Sequence, residues 1–148
     1  MSDIFDVLIN EHHLTDKLLT DCLSALSRES LAEASELLNR FTGIFTAHAK
    51  IEDEALFPAM TRRRLVRRDD VNDMAREHTK MLKLVDEIDA RIRQGDCAQA
   101  MTVVETLQRV ARGHAQKEEL LLLVHHDPDV ANECPAYPEA AAAPSADS

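Results

Sequence analysis

Three ionisable residues recur in this chain at one fixed offset: His12, His48 and Glu52 return as His78, His114 and Glu118. Within each set the histidines stand 36 residues apart (48 − 12 and 114 − 78), and each member of the second set lies 66 positions after its counterpart (78 − 12). The second histidine and the glutamate are four residues apart in both sets, the spacing that stacks two side chains on one helix face. A chain built on this repeat must fold two similar halves around a shared polar layer.

The residues between these positions dictate helices. Leu, Ala, Glu and Arg dominate and alternating β-branched runs are absent, which makes the chain all-α. The pattern predicts a first helix over Asp3–Ser27 with Ser2 as N-cap. Its inward seam is Phe5, Leu8, His12, Thr15, Leu19, Cys22 and Leu26, at intervals alternating three and four as in bundles. Ser30 and Glu33 read as a capping box for a second helix, reaching about Pro58 or a turn beyond, with Phe41, Phe45, His48, Glu52 and Ala55 inward. A third starts near Asp69 or Asp70 and runs to Gln94, its stripe passing through Met74, His78, Met81 and Val85, and Gly95 stops it. Asp96 with Gln99 opens a fourth, carrying Val103, Leu107, His114 and Glu118 inward until Pro128 forbids continuation.

The connections at 28–29 and 95–96 are so short that the helices they join run antiparallel, giving an up-down-up-down antiparallel four-helix bundle. At 1.5 Å rise per residue, His12 and His48 lie roughly 22 and 25 Å from the turn between them, and the second hairpin repeats that geometry. All four histidines therefore belong to one layer. Residues 1–126 read as the bundle, and 127–148, rich in Pro, Ala, Glu and Ser and holding the only tyrosine, Tyr137, as a flexible tail. With no Tyr or Trp inside the bundle, a radical relay has no carrier there.

Two glutamates on inward positions, with no Lys or Arg on the same seam, set the chemistry, because an unpaired buried carboxylate costs several kcal/mol. Four imidazoles and two carboxylates at one height call for cations: His12, His48, Glu52, His78, His114 and Glu118 are the candidate metal ligands. Mixed nitrogen and oxygen donors suit iron, zinc or manganese, and the absence of thiolates at this level speaks against a structural zinc site. Six ligands shared by two ions, with both carboxylates and a solvent-derived oxo or hydroxo group bridging, leave open positions for small molecules.

Composition excludes other classes. A net charge of −10 opposes nucleic-acid binding, and no apolar run nears the roughly 18 residues that span a bilayer. The start of the chain carries no basic, apolar leader, and Cys22, Cys97 and Cys134 form no CxxC, so a cytoplasmic, reducing setting is expected. A redox pair of Cys22 and Cys97 is the minority reading beside ordinary thiols. No clear apolar patch is evident among the positions assigned to the surface, which suggests a monomer or weak dimer.

The run His48-Ala-Lys-Ile-Glu52-Asp-Glu-Ala-Leu-Phe57-Pro58 resembles the signature of the hemerythrin-like HHE cation-binding domain. So do Leu8-Ile-Asn-Glu-His12, Arg76-Glu-His78 and His114-Ala-Gln-Lys-Glu118, and the likeness spans roughly residues 3–124. It implies a non-haem di-iron site, two Fe ions per chain, with the four histidines terminal and the glutamates bridging. Oxygen-carrying members have a fifth histidine one turn from the third-helix ligand, where this chain has Met74 and Leu82, and they usually bridge with an aspartate where this chain has Glu118. Both departures count against reversible oxygen carriage. The four-histidine, two-glutamate set is similar to bacterial iron–sulfur-cluster repair proteins, whose usual N-terminal cysteine-bearing domain is missing here. The resemblance implies a nitric oxide, hydrogen peroxide or dioxygen ligand in oxidative or nitrosative stress, with an electron-donor protein as candidate partner. The alternative is a non-catalytic module that senses, stores or carries oxygen, nitric oxide or iron.

Other residues draw a plainer reading. His13 points about 100° away from His12 and is assigned to the surface, as are His125 and His126 at the end of the fourth helix. Asp53 and Glu54 are expected on a solvated face. Arg62, Arg63, Arg64, Arg67 and Arg68 read as a basic helix end, or else as a docking patch for an acidic redox partner. Thr15 and Met81, each about a turn from a histidine, are candidates to line an open metal face.

Overall fold

A computed structural model describes residues 3–137 of the 148. Four long helices carry it: α1 (Ile4–Ser27), α2 (Leu31–Ile51), α4 (Arg68–Arg93) and α5 (Cys97–Val124). Between α2 and α4 a wide turn over Glu52–Leu56 leads into α3 (Phe57–Arg62), and α6 (Pro128–Glu133) follows α5. Helices α1 and α2 pack as one hairpin, α4 and α5 as the other, and α1 lies on α5 as α2 lies on α4. This is the up-down-up-down bundle that the two short connections require.

Both hairpins turn in the same way. The N–H of Ser30 bonds the Ala25 carbonyl at 2.8 Å, and that of Asp96 bonds the Arg91 carbonyl at 3.0 Å. Each turn needs one left-handed residue: Gly95 at φ 74° in the second hairpin and Glu29, 66 positions earlier, at φ 57° in the first. Glycine takes that conformation without steric cost, whereas Glu29 must bear it. Asp96 accepts from the Gln99 N–H as expected. Two expected caps differ. Ser2 lies outside the described residues, and α1 is capped by Asp3, whose carboxylate accepts from the Asp6 N–H. Ser30 makes no side-chain cap, and Glu33 instead pairs with Arg28 across the turn.

The apolar interior is divided by the polar layer. On one side Leu19, Cys22, Leu26, Phe41, Ile88 and Leu107 form the larger core; on the other, Phe5, Leu8, Phe57, Met60, Leu122 and Val130 form the smaller. Val130 belongs to α6, so the tail expected from Asp127 is instead structured at its start. Val130 is wholly buried, and Glu133 pairs with Arg62 and Arg63. Those arginines thus hold down the C-terminal segment rather than standing free. Leu120, Leu123 and Val124, each 66% exposed, make an apolar surface at the end of α5 that the sequence pattern did not reveal. No described helix is long and apolar enough to cross a membrane.

Candidate metal centre

The six residues singled out by the repeat meet between the two cores. Glu52 and Glu118 are completely buried, and His48, His78 and His114 nearly so, with His12 half-buried. They fall into two overlapping groups, His12–His48–Glu52–Glu118 and Glu52–His78–His114–Glu118, whose ligand atoms lie within 4.8 Å of one another. Both glutamates are common to the two groups.

The imidazoles all face one way. Each Nε2 lies 2.7–3.1 Å from an oxygen of Glu52 or Glu118. Each Nδ1 meets a different, outer carboxylate: His12 and Glu119 at 2.8 Å, His48 and Glu11 at 2.9 Å, His78 and Asp53 at 3.0 Å, His114 and Glu77 at 2.6 Å. An Nδ1 that donates to its outer carboxylate leaves, in the neutral ring, a lone pair on Nε2 aimed at carboxylate lone pairs. Only a cation between them, or a proton on every Nε2, removes that repulsion. Both Glu52 oxygens and the His78 Nε2 are buried without a hydrogen-bond partner, orphans that a metal would satisfy. The donor set, four imidazole nitrogens and two shared carboxylates, fits a pair of transition-metal ions.

Titration behaviour follows the same logic. Burial works against a charged His48, yet Glu52, Glu11 and Glu118 outweigh it and raise its pKa well above the ordinary range. His78 is pushed up to about 10 because Asp53 and Glu52 overcome burial, and His12 and His114 rise for like reasons. The carboxylates divide: burial and the neighbouring Glu118 raise Glu52, while Glu118 falls well below its usual value because contacts with His114, His12 and His48 help defeat the cost of burial. Without metal, the chain answers its excess of carboxylates by protonating imidazoles.

The outer carboxylates obey the repeat too: 77 − 11 and 119 − 53 are both 66. Glu11 and Glu77 each hold the second histidine of their own hairpin, while Asp53 and Glu119 each reach across to the first histidine of the other. Asp53 was expected on a solvated face, but it sits in the wide turn, where the Phe57 N–H bonds back five residues to the Glu52 carbonyl. Glu119, one methylene longer, makes the equivalent contact from a regular helix. Wide turns of this kind recur at functional sites. Glu54 and His13 are exposed as expected, and His126 bonds Asp3.

Residues 3–125 match the family described as the Hemerythrin HHE cation binding domain. The chain belongs to the hemerythrin family. No curated protein and no solved structure matches it. Membership agrees with the helical bundle and with a cation-binding centre at the two histidine–glutamate groups.

The hemerythrin domain here also has a way in. A cavity of about 240 Å³ reaches His12, His48 and His114 from the surface. Its inner wall includes Thr15, Phe45 and Met81, each three residues from a histidine of the centre, and its mouth lies beside His13, Asp16 and Arg112. Thr15 and Met81 thus line the approach. Tyr137, assigned by composition to the tail, docks instead against the centre: its hydroxyl donates to Glu11 at 2.8 Å, and burial with that contact raises its pKa well above normal.

Proposed function

We propose that this chain is a non-haem di-iron protein that binds or reacts with a small ligand (nitric oxide, hydrogen peroxide or dioxygen) in a cytoplasmic response to oxidative or nitrosative stress. His12, His48, His78 and His114 would hold the ions as terminal ligands and Glu52 and Glu118 as shared ones. A bound iron pair supplies one- and two-electron redox chemistry and Lewis acidity at positions that the six residues leave free.

The observation that carries the reading is the cavity. It reaches three histidines of the centre and is lined by the apolar Phe45 and Met81, so a small ligand can reach the polar layer from the surface. The chain's own groups have definite tasks there. Outer carboxylates fix each ring with Nε2 inward, which keeps the donor set organised before any ligand arrives. Phe45 and Met81 of the larger core give the cavity an apolar wall. Arg112 and Asp16, paired at 2.8 Å, stand beside the cavity.

Metal content and turnover on one purified sample test the reading. Iron at two ions per chain, with consumption of peroxide or nitric oxide beyond two equivalents per centre, is the expected outcome for an enzyme. A stoichiometric, reversible spectral change would transfer the chain to the class of sensing, storage or carrier modules. Zinc alone after iron reconstitution would sink both.

A further inference from the structure

The two halves of the centre share a design in which each outer carboxylate has a fixed place, but they differ in what holds the carboxylate itself. Glu77, on His114, is a quarter exposed and is held by the ammonium of Lys117. The residue 66 positions before Lys117 is Ile51, which cannot do the same for Glu11. Glu11 is only 2% exposed, and one of its oxygens has no hydrogen-bond partner. Its other oxygen accepts from both the His48 ring and the Tyr137 hydroxyl. The hydroxyl thus takes, in the first half, the place that Lys117 has in the second.

Tyr137 reaches that place because the chain beyond α5 is strapped down along its length. The His126 ring bonds Asp3 and packs edge-on against Phe5 at 4.6 Å, Val130 is wholly buried, and Glu133 pairs with Arg62 and Arg63. These contacts cover the end of the bundle nearest the glutamates and bring residue 137 onto α1.

We infer that Tyr137 is a positioning residue of the metal centre, holding Glu11 and through it the His48 ring, so that the C-terminal strap forms part of the first metal position and not of the second. The inference rests on the di-metal reading above. It makes the two positions inequivalent despite the repeat: one is supported by a neutral hydroxyl from a distant segment, the other by a cation on the same helix as its histidine. Outer partners of ligating histidines typically contribute about 10- to 100-fold in metal affinity.

The test is Tyr137→Phe in the full chain, which keeps the ring and removes only the hydroxyl. Chelator-driven release of iron and the Mössbauer spectrum of iron-57-loaded protein are compared with the parent, and hydrogen exchange at Val130 reports whether the strap stays docked. The expected result is that half of the iron leaves about tenfold or more faster, half of the Mössbauer signal shifts, and exchange at Val130 is unchanged. Release and spectrum equal to those of a parent holding two irons overturn this inference alone. Equal acceleration of both irons together with faster exchange at Val130 also overturns it, because Tyr137 would then serve only to pin the strap. A parent that takes up no iron overturns the di-metal reading and the inference with it.

Discussion

Glu52→Gln separates the two demands placed on the polar layer. The side chain is fully buried and common to both ligand groups, so its replacement removes one anionic donor from each metal position at once. Glutamine preserves volume and avoids the cavity that Ala would leave. With free iron at about a hundred times the dissociation constant of each position, two bound ions stabilise the parent by about 5.4 kcal/mol, about 2.7 each. A variant a hundredfold weaker at both positions gains only about 0.8 kcal/mol at the same free iron. For a domain of this size roughly 4 °C of Tm corresponds to 1 kcal/mol, so the iron-dependent rise should shrink from about 22 °C to about 3 °C. The metal-free variant should be no less stable than the metal-free parent, since the charge removed is one that burial and Glu118 already oppose. Anaerobic thermal unfolding by circular dichroism, with and without ferrous iron, gives both numbers, and iron per chain is measured alongside. A variant that retains two irons and the full rise in Tm would show that Glu52 is not a shared ligand.

Two further outcomes follow from the groups around the site. In the metal-free protein the His78 pKa stands at about 10 against 6.5 for the free side chain, so the stability it contributes is complete below about pH 6.5 and is lost as pH rises through 10. Metal-stripped protein should therefore melt at lower temperature at about pH 9.5 than at about pH 6, while iron-loaded protein, whose ligating rings are neutral, should not share that dependence; a flat metal-free profile would refute the proton-for-metal exchange. Cys22 is sealed in the larger core and burial pushes its thiol up to about 11. Near pH 8, an alkylating reagent should modify Cys97 and Cys134 and spare Cys22 until the chain unfolds, as read by mass spectrometry; equal labelling of all three would contradict its burial.

The six residues of the buried layer were legible because a buried carboxylate or imidazole is costly, and a costly residue repeated at one offset has few explanations. The common height of the histidines followed from helix rise and from two turns too short to allow anything but antiparallel packing. The outer carboxylates carried the same 66-residue signal, in Glu11 beside His12 and in Glu77 beside His78, but each neighbours an inward residue and so falls off the apolar stripe. Asp53 escaped for a second reason: a wide turn leaves no mark on apolar periodicity, which assumes a constant 100° per residue. Helix α6 escaped because six residues with one buried valine have no period at all. Its order comes from ion pairs and contacts with residues more than 70 positions away, among them Arg62. The apolar surface at Leu120, Leu123 and Val124 was hidden for another reason: five consecutive apolar residues, 120–124, have no period that separates an inner from an outer face.

The crossed reach of Asp53 and Glu119 makes the two hairpins depend on each other. Neither hairpin orients its own first histidine: α1 depends on a carboxylate from α5, and α4 on one from the turn after α2. A single repeat therefore carries three of the four residues of one group and one of the other, and completes neither, yet two copies docked about a twofold axis would supply all six residues of the layer and all four outer carboxylates. A homodimer of identical 66-residue hairpins would build the same layer with exact symmetry. One continuous chain is free of that constraint, and Tyr137 and Lys117 hold Glu11 and Glu77 by different means.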